Sequence, residues 1–415
     1  MKVLVVGNMY PPHYLGGYEL FCHDVVRRWR ERGHEVTVLT SDVRIPGVAD
    51  LPGERAAGVR RDLGLYWDDH ELLSPPLRQR LAHERRNQAA LAAALAESRP
   101  DVVSFWNMGT MSLGLLTAVA ELGIPMVCYL ADDWLDYGPR LDAWLRLFRR
   151  RPWLAALVRR RTGVPTTLPD LPAVSAFCFC SERTRRWAEE RTAWRFPDAG
   201  IVPCGLADDD FPVVPRAVAT PWRGRLLCVG RLDPRKGFDV AVRALPRLPG
   251  MTLELVGRGS ADQRAALQAV ASECGVADRV RISEARREDL REVYAGSDAT
   301  LFTSLWDEPW GLVPIESMAC GTPVVAAASG GAVEFLDDGR NALVIAKGDP
   351  AVLAAAVQRL ADDATLRQRL VDGGRETALR MSARRLADEL ERWHLGAAQG
   401  DRSGRWQPAV GAREP

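Results

Sequence analysis

Two carboxylates stand eight positions apart in the run Glu308-Pro309-Trp310-Gly311-Leu312-Val313-Pro314-Ile315-Glu316. The spacing predicts one acid just before a helix start and a second about one turn inside it, so both can face one ligand. The free N–H groups of the helix start between them suit an anion such as a diphosphate. Upstream, Leu226-Leu227-Cys228-Val229-Gly230-Arg231-Leu232-Asp233-Pro234-Arg235-Lys236-Gly237 reads as a buried strand, a turn and a helix start. Arg231 falls at the C-terminal end of the strand and Lys236 where the helix begins. Open parallel sheets bind ligands at that edge. A planar guanidinium and a compact ammonium there could neutralise two phosphates. Of 55 basic residues only Lys2, Lys236 and Lys347 are lysines, so a lysine beside a glycine in this turn stands out. Ordinary charges on a solvated helix start are the bland alternative.

A scaffold of strands and helices must carry these groups. At 415 residues the chain suits two domains. Its first half alternates strands and helices: strand 3–6, helix 18–32, strand 36–39, helix 77–97, strand 102–105, helix 113–122, strand 126–130, strand 176–180, helix 182–190 and strand 201–202. Residues 42–76, with four prolines, read as irregular. The alternation restarts at 226 and continues through helix 350–361, with further helices at 364–379 and 382–397. Such alternation predicts parallel sheets with helices on both faces, an α/β class with two Rossmann-like domains. The expected boundaries are a first domain over 1–206, a Pro- and Asp-rich linker over 207–223 and a second domain over 224–380. A last helix spans 381–398, and a polar tail over 399–415 reads as disordered.

The E-x7-E segment and the G-R-L-x3-K-G turn resemble the donor-binding signatures of retaining glycosyltransferases of the GT-B fold, family 4 in particular. The resemblance is most specific over about 222–360. It extends to Ser329-Gly330-Gly331-Ala332-Val333-Glu334, similar to the family's G-G-x-x-E. It also takes in Ile201-Val202-Pro203-Cys204-Gly205, where Cys204 replaces the usual Asn. It implies two domains facing each other across a cleft, with the last helix crossing back to the first domain. Implied roles follow. Arg231 and Lys236 grip the diphosphate and stabilise the leaving group. Glu308 bonds the donor sugar's hydroxyls, and Trp310, Gly311, Leu312 and Val313 supply backbone N–H groups. Glu316 accepts the ribose hydroxyls, and Gly16 and Gly17 let the backbone approach the phosphates or acceptor. Arg258 and the strand end Ile282-Ser283 lie where the nucleobase is expected, although Arg258 reads equally as surface charge. Many members place a His after the strand corresponding to 126–130. Here Ala131-Asp132-Asp133-Trp134 stands instead, so Asp132 or Asp133 takes that place as a hydroxyl acceptor or base, or else caps a turn.

The resemblance therefore implies a metal-independent transferase; the Arg-rich composition suggests a bacterial source and the cysteine pattern a cytoplasmic one. Such a transferase requires no cofactor and uses a UDP-, GDP- or ADP-linked sugar as donor. Its acceptor is a small molecule, a glycan or a lipid-linked hydroxyl. A catalytically silent nucleotide-sugar-binding partner subunit and a GT-B phosphorylase or epimerase are the alternatives. Net charge is +1, so no global field favours nucleic acid. The eight cysteines fall mostly in apolar runs, as reduced, buried thiols do, and Cys178-Phe179-Cys180 has no His at metal spacing. The N-terminal run reads as a strand, not a signal peptide. Residues 139–161 combine Trp, Leu and Phe with a large excess of Arg. That pattern suits a peripheral membrane contact, or two helices packed on the first domain with a solvated basic face.

Overall fold

The computed structural model describes residues 1–68, 71–213 and 221–404. It divides into two compact units, Met1–Pro203 with the chain from Leu386 onward, and Cys204–Arg385. Each unit is built on one parallel sheet, as alternation of apolar strands with amphipathic helices requires.

The first unit carries β1 (Lys2–Val6), β2 (Glu35–Ser41), β3 (Val59–Leu63), a short antiparallel pair β4 (Trp67–Asp68) and β5 (Glu71–Leu72), then β6 (Val102–Phe105), β7 (Met126–Leu130), β8 (Ala176–Phe179) and β9 (Gly200–Ile201). Its main sheet has the order β3-β2-β1-β6-β7-β8-β9, all parallel. The central strands are apolar and buried on both faces, as sheets covered by helices on both sides are. The expectation that 42–76 is irregular fails at β3. Val-Arg-Arg-Asp-Leu lacks an apolar run, because β3 is an edge strand whose two arginines are held by carboxylates. Arg61 pairs with Glu54 at 2.8 Å, and Arg60 with Asp62 at 2.9 Å.

From Leu386 the last helix (Ala383–Ala398) belongs to this unit. Trp29, fully buried, donates its indole N–H to the Ala387 carbonyl at 3.1 Å and stacks edge-on against His394. His34 pairs with Glu391 at 2.6 Å, and Arg32 reaches both Glu391 and Asp388.

The segment 139–161 divides in two. Ala143, Trp144, Leu145 and Phe148 are buried, so its first part is core. Pro152 opens a helix, Pro152–Thr162, at a position that needs no N–H donor.

The second unit carries β10 (Arg225–Val229), β11 (Thr252–Val256), β12 (Val280–Ser283), β13 (Ala299–Phe302), β14 (Val324–Ala326) and β15 (Leu343–Val344), in the parallel order β12-β11-β10-β13-β14-β15. Leu226, Cys228, Leu253, Leu255, Ala299, Leu301, Val325 and Leu343 form the sheet's part of one core. The expected pair of parallel-sheet, Rossmann-like domains is thus present. Residues 214–220 of the expected linker, and the expected disordered tail from 405, lie outside the described residues.

Candidate active site

The predicted residues of the second unit lie at or beyond the C-terminal ends of β10, β11, β12 and β13. After β13 the chain turns through Thr303 and Ser304, and this turn is tied to the one after β10. Leu305 N–H donates to the Arg235 carbonyl at 2.8 Å, and the Thr303 hydroxyl to the Lys236 carbonyl at 2.9 Å. Gly237 lets the two turns approach. Its φ is +64°, and a Cβ there would lie 2.2 Å from the Thr303 carbonyl oxygen. Asp233 shapes the same loop by accepting from the backbone N–H and guanidinium of Arg235, which hold its carboxyl down to about 2.

Lys236 and Glu308 meet directly. Lys236 Nζ donates to Glu308 Oε1 at 2.6 Å, and the buried Ser304 hydroxyl donates to the same oxygen at 2.8 Å. Glu308 is 6% exposed. Its Oε2 has no hydrogen-bond partner among the described residues, so one carboxylate oxygen remains to accept from a ligand hydroxyl. The Glu308 backbone is fixed as well, because its carbonyl accepts from Gly331 N–H at 2.7 Å. Gly330 makes room for that contact, since a Cβ there would lie 2.1 Å from the Glu308 carbonyl oxygen.

Three residues further on, Gly311, at φ +114°, starts the helix Leu312–Ala319. The N–H groups of Gly311, Leu312 and Val313 have no carbonyl one turn back. Trp310 is buried against Phe335, with ring centroids 5.0 Å apart. Glu316 is buried one turn into the helix. Its Oε2 accepts from the Tyr294 hydroxyl at 2.7 Å and its Oε1 from Arg287 Nη1 at 3.3 Å. Burial, and then the neighbouring Glu316 charge, push the Tyr294 phenol well up, so it stays a donor. Arg287 also pairs with Asp210 at 2.7 Å and lies over the Phe211 ring.

Sequence reasoning missed Arg287, Tyr294 and Ser304. The run Arg286-Arg287-Glu288-Asp289 looks like ordinary helix-start charge. The seven-residue spacing from Arg287 to Tyr294, two helical turns, is the one signal that they share a face.

Other expected residues are placed but not brought onto Glu308. Arg231 is exposed, with no hydrogen bond among the described residues. Arg258 is exposed on the adjacent loop, where its carbonyl accepts from Leu232 N–H at 2.9 Å. Ile282 is half-buried near the end of β12, and the neighbouring Ser283 hydroxyl donates to Glu254 at 2.8 Å.

In the first unit, Gly17 begins the helix Gly17–Glu31, and Gly16 N–H donates to Glu19 at 3.0 Å. Burial pushes the Glu19 carboxyl up. Asp132 follows β7 and accepts from the Tyr137 hydroxyl at 2.7 Å and from Trp134 N–H at 3.1 Å. Burial raises its carboxyl to about 7. Asp133 instead pairs with Arg191 at 2.9 Å and stands at the N-terminus of the helix Trp134–Leu141. Two acids in sequence therefore differ in kind: one held near neutrality, the other engaged by an arginine. Among the described residues, no group of three His, Cys, Asp or Glu is placed to hold a metal ion.

Two family models match consecutive parts of the chain, "Glycosyltransferase Family 4" over residues 15–209 and "Glycosyl transferases group 1" over 223–377. The chain belongs to the family 4 glycosyltransferases of the GT-B fold. Among its relatives, a lipopolysaccharide core biosynthesis glycosyltransferase, LpsE, of Rhizobium meliloti is 39% identical over 152 residues, 37% of this chain and 44% of its own length. A D-inositol 3-phosphate glycosyltransferase of Acidothermus cellulolyticus is 42% identical over 167 residues, 37% of each chain. The matches thus span about two-fifths of these relatives' length. The crystal structure of Anabaena HepE in complex with UDP shares the fold with a TM-score of 0.67 and 19% identity, covering 94% of this chain and 98% of that one.

Proposed function

We propose that this family 4 chain is a retaining glycosyltransferase that moves a sugar from a nucleoside-diphosphate sugar to an acceptor hydroxyl. The observation that carries the reading is the Lys236–Glu308 contact at the strand ends, with Glu308 Oε2 free, beside a helix start. HepE, which shares the fold, was solved with UDP, in keeping with a nucleotide donor.

In this reading the helix start at Gly311–Val313 and the Lys236 ammonium receive the diphosphate. Arg231, exposed on the neighbouring turn, closes on its other phosphate. Glu308 Oε2 accepts from the donor sugar. Glu316, held by Tyr294 and Arg287, takes the ribose hydroxyls. As the glycosidic C–O bond breaks, the anomeric centre becomes oxocarbenium-like and negative charge grows on the leaving phosphate. Preorganised cations and amide dipoles stabilise that charge. The acceptor oxygen bonds the anomeric carbon on the face the nucleotide leaves, which retains configuration. Its proton passes to the departing phosphate, so the reaction needs neither a dedicated protein base nor a metal ion. Asp132, at the end of β7, orients the acceptor hydroxyl. The acceptor is a bacterial envelope-glycan or natural-product hydroxyl, and the reaction is cytoplasmic.

A panel of UDP-, GDP- and ADP-sugars tests this by nucleotide release and by the anomeric signal of the product in NMR. Lys236→Ala and Glu308→Gln should each lower turnover about 100-fold or more. Undiminished nucleotide release in both variants, or an inverted product, defeats the proposal.

A further inference from the structure

The helix Pro152–Thr162 shows its apolar side to solvent. Trp153 is 71% exposed and Leu157 42%, and Ala156 between them is exposed too. Spacings of three and four put all three on one face. The opposite side is anchored: Ala155 is buried and its carbonyl accepts from the Thr166 hydroxyl at 3.0 Å. Arg159, one turn on from Ala155, pairs with Glu121.

Around this face the charge has one sign. Between Asp142 and Asp170 the chain carries seven arginines and no carboxylate. Arg149, Arg150 and Arg151 before the helix, and Arg160 and Arg161 at its end, are all exposed. A groove of about 370 Å³ continues from Arg149 to Arg140, Arg191 and Trp194. Arg140 and Arg191 are already paired, with Asp136 and Asp133, whereas Arg149 has no such partner among the described residues.

An exposed Trp and Leu on a fixed helix, flanked by five exposed arginines with no ion-pair partner among the described residues, complement a surface that is anionic outside and apolar beneath. We infer that this helix docks the first unit on an anionic lipid bilayer, with Trp153 and Leu157 entering the interface and the flanking arginines meeting lipid phosphates. This goes beyond the transferase reading and does not depend on it, because the contact is made by residues outside the candidate active site.

The test is co-sedimentation of the full chain with phosphatidylcholine vesicles with and without phosphatidylglycerol, alongside an acidic polysaccharide. Binding is expected to the phosphatidylglycerol vesicles alone, and to weaken as salt shortens the screening length. The pair Arg150→Ala/Arg160→Ala should weaken binding about fivefold per arginine. Trp153→Ala/Leu157→Ala should weaken it as well, with unchanged circular dichroism in both pairs. No binding to the charged vesicles, full binding by either pair, or binding to the polysaccharide in place of vesicles overturns the inference.

Discussion

Asp132 and Asp133 show how neighbouring identical residues acquire different chemistry. Asp132 is buried and bonded to neutral donors, which leaves its carboxyl near 7, whereas Asp133 has a guanidinium. If Asp132 works as an ionised acceptor for the incoming hydroxyl, kcat/KM should rise as pH passes upward through about 7 and level off above it. Asp132→Asn should flatten that limb and lower the plateau, and Asp133→Asn should leave it in place. A pH profile of the three proteins checks this. The choice between the two acids was not legible in the sequence, because adjacent residues on a loop carry no periodicity. Lys236, Glu308 and Glu316 were legible: a strand end, a helix start and a one-turn spacing fix where such side chains go. The partners of Glu316 were not, since Tyr294 and Arg287 reach it from a different helix of the same unit.

At the level of elements, the turns after β10 and β13 work as one part because Gly237 lets their backbones touch. Gly237→Ala would combine an unfavourable left-handed residue, costing about 1–2 kcal/mol, with a Cβ 2.2 Å from the Thr303 carbonyl oxygen. The turn must then shift and carry Lys236 with it. Thermal denaturation should show lost stability, and turnover should fall as in a lysine variant. Gly250→Ala is the control: its φ is +76° but no atom lies within 4 Å of the added carbon, so it should lose stability alone. The sheet elements were readable wherever strands are apolar on both faces. The sequence run Val-Arg-Arg-Asp-Leu of β3 hid an edge strand, because its arginines are satisfied by carboxylates whose proximity only the fold creates. In sequence, residues 139–161 suit either a peripheral membrane contact or two packed helices. Pro152 divides the segment into a buried part and an exposed helix, a division that depends on which aromatic groups find a core.

For the molecule as a whole, buried ionisable groups set opposing limits on stability. His394 is fully buried and neutral. Its Nδ1–H donates to the Leu390 carbonyl, and Nε2 accepts from the Ser104 hydroxyl at 2.8 Å. Burial lowers it from 6.5 to about 4. A depressed pKa contributes stability that is present above the unfolded value and is lost as pH falls from about 6.5 toward 4. Glu84 has the reverse sign. Burial, reinforced by the nearby Asp142 charge, raises it to about 8, so its contribution is complete below 4.5 and is lost as pH rises through about 8. Urea midpoints should therefore fall on both sides of a plateau. His394→Leu should blunt the acid limb and Glu84→Gln the alkaline one.

The His394 helix has a consequence for the order in which the protein is made. The 203 residues of the first unit that leave the ribosome earliest lack the helix that covers Trp29, and the missing piece is translated some 180 residues later. The intervening unit is contiguous and can complete its own core first. Nascent chains halted near residue 203 should bind chaperones and be cut readily by protease, whereas release of the last thirty residues should abolish both.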